Sequence, residues 1–173
     1  MPGLRRLVHA LLAAACATAP PLPSQPRANA IVVFETGKGN IEIEVDAAHA
    51  PRTAANFVKY VDGGFYDGGT INRAVRPDNT IRHDVEIQVV QFQIARARQR
   101  DEFPSVPLER TSVTALKHVD GAVSMARSAP DTATGSFSME VVKAIQASPT
   151  GPRGPYGPES LNPPIAIVKA YRR

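Results

Sequence analysis

Between Gly135 and Ser148 the chain reads GSFSMEVVKAIQAS, and this stretch limits the possible fold more than any other. Gly135-Ser-Phe-Ser has the character of a strand opening. Met139-Glu-Val-Val-Lys-Ala-Ile-Gln carries apolar residues at helical spacing, which predicts a helix over 139–147, and no turn residue separates the two patterns. A strand that passes directly into a helix leaves no place here for a further strand. The sheet has to be assembled from what lies on either side.

The segments before and after it are short and well punctuated. Ile31-Val-Val-Phe-Glu and Ile41-Glu-Ile-Glu-Val flank Thr36-Gly-Lys-Gly-Asn, the pattern of a β-hairpin that puts Ile41, Ile43 and Val45 inside. Pro51 suits a helix start, Ala54, Phe57, Val58 and Val61 share one helical face, and Gly63 is the stop. Strands are expected over 70–76, 85–92, 121–125 and 164–171, the last with its proline at the first position, where the missing N–H is tolerated. The segments 129–135 and 149–158 are loops, and there is no internal repeat. Many short strands with two helices predict a mainly β fold, a barrel or sandwich with helical lids.

Residues 1–30 read as a signal peptide followed by a Pro-rich linker, and residues 31–173 as one domain. Arg5 and Arg6 precede an apolar run over 7–17 interrupted by His9, too short to span a bilayer, and cleavage after Ala17 or after Ala30 fits the small-residue rule. Export to the periplasm follows. Cys16 is either a lipoprotein attachment point or an ordinary residue of a discarded leader. Loss of residues 1–30 removes three arginines and no acid, taking the formal charge from +4 to +1, which is no footprint for nucleic acid. It also removes Cys16, the single cysteine, and with it any disulfide or thiolate metal site. His49, His83 and His118 fall in separate loops without ligand spacing, so no metal or other cofactor is expected.

Two polar side chains interrupt apolar strand faces. Arg73 alternates with Ile71 and Val75, and Gln91 with Ile87 and Val89. Either both polar groups point into an apolar groove, or these faces look outward and the isoleucines are exposed.

At this point the residues resemble a known family. ETGKGNIEIEVDAAHAPRTAANFVKYVDGGFYDGG is similar to the opening of cyclophilins, the peptidyl-prolyl cis-trans isomerases, and VDGAVSMARSAPDTATGSF is similar to their strand and loop of the form G-x-(V/I)-(S/A)-M-A-R-x-x-P-x-(S/T)-A-T-S-Q-F. The likeness spans 31–171 and is to bacterial exported members. It implies an antiparallel eight-stranded β-barrel capped by two helices, with an outer groove for proline-containing peptide segments, and a monomer without cofactor or integral membrane span.

Carried over by residue, the resemblance makes Arg73, in Ile71-Asn72-Arg73, the catalytic arginine, and Gln91, in Gln91-Phe92-Gln93, the glutamine that holds the substrate carbonyl and braces it. Ala126 and Arg127 become the strip that pairs with the peptide backbone. Val89, Met125 and Phe137 line the proline pocket, although Met125 and Phe137, taken alone, read as core residues.

The departures lie at the opening stretch. Where the family continues Ser-Gln-Phe-Phe through a long segment before Gly-Met-Asp-Val-Val-x-x-Ile, this chain has Gly135-Ser-Phe-Ser followed at once by Met139-Glu-Val-Val. The resemblance therefore implies an internal deletion between Ser138 and Met139, on the order of 30 residues or about one strand. The barrel is expected to have unpaired edges, and the groove to lose an aromatic wall at Ser138 and gain bulk at Phe92-Gln93. The function implied is X-Pro isomerisation, possessed fully or in weakened form; a non-catalytic proline-peptide-binding module, or a degenerate member of the family, is the alternative.

Overall fold

The computed structural model describes residues 30–84, 87–140 and 142–173, so the expected signal peptide, most of the expected linker and Cys16 lie outside the described residues. Ala30–Thr36 (β1) and Gly39–Val45 (β2) form the expected hairpin, with Phe34 opposite Ile41 and Thr36 opposite Gly39. Gly39 has φ 104°, a conformation that favours glycine, and Thr36 Oγ1 donates to its carbonyl at 2.7 Å. Period-two alternation buries Ile43 and Val45 and leaves Glu42 and Glu44 in water.

Pro51–Asp62 (α1) follows, with proline in its first turn and Gly63 at its end. Ala54, Phe57 and Val61 are buried as the spacing predicts, but Val58 is only half-buried and Tyr60 takes its place against the core. Ala50 offers no side-chain cap. Glu109, far along the chain, provides one: its carboxylate accepts the N–H of Arg52 at 3.1 Å and of Thr53 at 2.7 Å, where helix N–H groups lack partners and the dipole favours an anion. Glu109→Ala is expected to lower stability by about 0.5–2 kcal/mol in thermal melts. An unchanged melting temperature would mean that water serves those groups equally well.

Five further strands are Thr70–Ala74 (β3), Val89–Gln93 (β4), Val123–Met125 (β5), Phe137–Glu140 (β6) and Ser160–Arg172 (β7). All pairs are antiparallel, in the order β2-β1-β7-β3-β4-β6-β5. Two short helices, Thr111–Thr114 (α2) and Lys143–Gln146 (α3), complete the set. The mainly β, barrel-like fold is as expected.

The opening stretch behaves differently from its local pattern. The strand does not stop at Ser138: Met139 and Glu140 continue it, paired to Val90 and Val89, and the helix shrinks to one turn over Lys143–Gln146. Phe137 and Met139 both face inward at period two, so pairing with β4 on one side and β5 on the other outweighs the helical spacing of the segment. Strand β4 spans Val89–Gln93 with Ile87 before it, and residues 85 and 86 of the expected strand lie outside the described residues.

Seven antiparallel strands alternate in direction, so the two end strands, β2 and β5, run the same way and cannot close the ring by antiparallel pairing with each other. Between them lies a cavity of about 940 Å³, lined by Ile43, Val45, Leu108, Val123 and Met125 among others. Two free edges beside apolar lining should leave the domain below the roughly 5–15 kcal/mol usual for globular domains. Urea unfolding measures this directly. A single cooperative transition well inside that range would show that the seam costs little.

Rings fill the centre of the curl. Phe137 stacks on Phe92 at 4.4 Å between centroids and meets Phe34, Phe57 and Tyr66 edge-on. Tyr66 Oη donates to the Gly135 carbonyl at 2.6 Å, and burial pushes its phenol well above the usual range, so it stays a neutral donor.

Candidate active site

Strand register places the polar groups on one face. Arg73 stands opposite Gln91, Gln91 opposite Ser138, and Ser138 opposite Ser124, so the side chains of four adjacent strands line up across the sheet. The inward face carries the companion row Ile71, Phe92, Phe137 and Met125. Phe92 and Phe137 are wholly buried, and Met125 packs against the same core.

This arrangement corrects the expected position of Arg73. Ile71 and Arg73 do not share a face: the register shifts between them, Ile71 and Ala74 enter the core, and Arg73 turns toward Gln91. One extra residue at Asn72 reverses the alternation, as a bulge does. Neither reading of the isoleucines from the sequence was complete, since Ile71 is buried while Arg73 points the other way.

The guanidinium of Arg73 is held from three sides. Its Nε donates to Glu159 Oε2 at 2.8 Å, its Nη2 forms an ion pair with the same oxygen at 2.6 Å, its Nη1 donates to Gln91 Oε1 at 3.3 Å, and the Tyr156 ring lies 5.1 Å from its central carbon. The remaining oxygen of Glu159 accepts the Ile81 N–H at 3.1 Å. The Arg73 side chain is 22% exposed and that of Glu159 1%, so the arginine reaches the surface from a buried anchor. Tyr156 Oη accepts Gln93 Nε2 at 2.6 Å and lies 3.5 Å from Gln91 Nε2. Nε and Nη1 each donate a hydrogen bond and Nη2 is held by the ion pair, which leaves further N–H groups of Nη1 and Nη2 without a hydrogen-bond partner among the described residues.

A charged, planar donor fixed at the surface of a sheet can do one thing well. It can offer an N–H to a nitrogen lone pair that localises as amide resonance is lost. Arginine suits the role because it stays protonated and its fork is rigid.

The family model for cyclophilin type peptidyl-prolyl cis-trans isomerase/CLD matches residues 31–157. The chain belongs to that family. A peptidyl-prolyl cis-trans isomerase of Acinetobacter baylyi is 31% identical over 115 residues, which is 66% of this chain and 56% of that protein. Peptidyl-prolyl cis-trans isomerase A of Dickeya dadantii is 31% identical over 111 residues, 64% of this chain and 53% of that protein. The chain thus spans about half the length of these relatives. A crystal structure of a Cryptosporidium parvum cyclophilin type peptidyl-prolyl cis-trans isomerase, obtained in the presence of the dipeptide Ala-Pro, aligns with TM-score 0.59 at 13% identity, over 83% of this chain and 98% of that one. That likeness concerns the cyclophilin fold.

Of the residues that the sequence singled out, Arg73, Gln91 and Val89 come together on the outer face of β3 and β4. Phe137 and Met125 do not join them. Directly opposed antiparallel residues share a face, so pairing of Met125 with Phe137, and of Phe137 with Phe92, carries both to the face opposite Arg73, where Phe137 is wholly buried and the half-buried Met125 lines the cavity between β2 and β5. Ala126 is half-buried and its N–H already donates to the Ser136 carbonyl at 2.9 Å, leaving only its carbonyl for a peptide. Arg127 is exposed and borders the cavity between β2 and β5 rather than the Arg73 face.

Glu159, Tyr156 and Gln93 were not anticipated. Glu159 and Tyr156 are brought in by the pairing of Arg73 with Ser160 at the start of β7 and by the loop before it, and Gln93 ends β4, two residues beyond Gln91. In that loop Gly154 passes so close to Ser160 that a Cβ would lie 2.6 Å from its Cβ and Oγ. Ser160 Oγ in turn accepts the Tyr156 N–H at 3.0 Å. A carboxylate one residue before a strand that pairs with the Arg73 strand is the only sequence signal for Glu159, and it becomes informative once the register is known.

Proposed function

We propose that this chain is a peptidyl-prolyl cis-trans isomerase that lowers the barrier to rotation about X-Pro bonds in proline-containing segments of client proteins. One observation carries the reading: Arg73, the residue that matches the family's arginine, is fixed on the sheet surface beside Gln91, its charge balanced from below and N–H groups of Nη1 and Nη2 left without hydrogen-bond partners among the described residues. The uncatalysed rotation is opposed by roughly 18–20 kcal/mol. A preorganised donor that bonds the imide nitrogen more strongly in the twisted state than in either planar state lowers that barrier without a covalent intermediate.

The same face favours a weaker catalyst than the family pattern implies, because Ser138 stands where an aromatic wall is expected and Tyr156 lies over the arginine. NMR exchange on an Ala-Pro peptide at high protein concentration tests both points. Acceleration above the spontaneous rate supports isomerase activity, whereas peptide shifts without acceleration would favour a binding module. Export of the protein as a monomer, and loss of a strand between Ser138 and Met139, belong to the same proposal; the pattern of residues 1–19 supports the first, and the seam between β2 and β5 the second.

A further inference from the structure

The geometry points to Glu159 as the positioning residue of Arg73, an inference that rests on the isomerase reading. Its carboxylate is almost wholly buried, and nothing about core packing calls for a charge there. The charge has a specific use. One oxygen accepts the Nε–H of Arg73 and lies in ion-pair contact with its Nη2, and the other is held by the Ile81 N–H, so the carboxylate cannot rotate without breaking a bond at each end. The backbone sets its place as well, since Ser160, the next residue, pairs with Arg73 across β3 and β7.

Capture of the Nε edge by Glu159 and of one Nη1 N–H by Gln91 leaves the remaining N–H groups of Nη1 and Nη2 as those free to meet a peptide. Tyr156 against the face of the plane removes the remaining tilt. Glu159 does not touch substrate in this scheme. It fixes which N–H groups of Arg73 face the groove, and it does so before a peptide binds.

Two variants separate geometry from charge. Glu159→Asp keeps the anion on a shorter arm, and Glu159→Gln keeps the length but cannot balance the guanidinium. For both, kcat is expected to fall by roughly 10- to 100-fold with little change in KM, because the misplaced donor matters chiefly in the twisted state. A merely structural role would lower the melting temperature and leave the kcat of the folded fraction intact.

The independent readout is hydrogen exchange of the Arg73 Nε–H, assigned by its absence in Arg73→Lys and compared with that of the exposed Arg52. Slow exchange in the wild type, lost in Glu159→Asp, is the expected result. Wild-type exchange as fast as that of Arg52 overturns the clamp, and so does full activity in both Glu159 variants. Should wild type show no isomerase activity, the proposed function fails, while Nε–H protection still decides whether Glu159 holds the arginine. That measurement needs no Glu159 variant, so it decides even if both variants unfold.

Discussion

Arg73→Lys should reduce catalysed X-Pro exchange by roughly 100-fold while the protein remains folded, the size of loss seen when one preorganised donor is removed from a transition state. Lysine retains a positive charge for Glu159 but not the planar fork that reaches Glu159 and Gln91 together. Arg73→Ala removes the donor entirely, yet it also strands a buried carboxylate, at a cost of about 3–5 kcal/mol, so its activity has to be read on the fraction that stays folded. Two-dimensional exchange spectroscopy on an Ala-Pro peptide, beside a melt of each variant, separates the two effects. Equal acceleration by folded wild type and Arg73→Lys would show the arginine to be a structural residue and the mechanism to be wrong.

Phe137→Ala should destabilise the fold by about 3–5 kcal/mol, the range for deleting a buried phenylalanine. Phe137 is wholly buried at the meeting point of Phe34, Phe57, Tyr66 and Phe92. With little stability in reserve beside an open seam, the variant should unfold at markedly lower urea concentration. The measurement also judges the correction made to its position. A variant that keeps its urea midpoint but loses peptide affinity would return Phe137 to the groove wall.

How far the sequence spoke for the structure depended on whether the relevant partners were close in the chain. The β1–β2 hairpin, the start of α1 at Pro51 and its stop at Gly63 were legible because each is a local matter of alternation, fixed proline φ and turn glycine. Arg73 and Gln91 were legible as a pair, since both are polar residues in apolar strands and both fall at matching positions of the family motif. The direction of Arg73 was not. A register shift at Asn72 reverses the faces of β3, and nothing in the residues 70–74 announces it.

The stretch GSFSMEVVKAIQAS shows the same division most plainly. By itself it determined that no turn intervenes between Phe137 and Met139, and that apolar residues recur at spacings that fit both a helix and a strand. Only the tertiary structure decided between them: β4 and β5 flank the segment, the ladder bonds and burial of Met139 are gained by extension, and the helix is left with one turn. The site divides in the same way. Its arginine and glutamine were written in local sequence, whereas Glu159 and Tyr156 reach them through the pairing of β3 with β7, a contact between residues more than eighty positions apart. Local sequence sets backbone preference and side-chain period; which charges meet is set by strand register, and register is a property of the whole sheet.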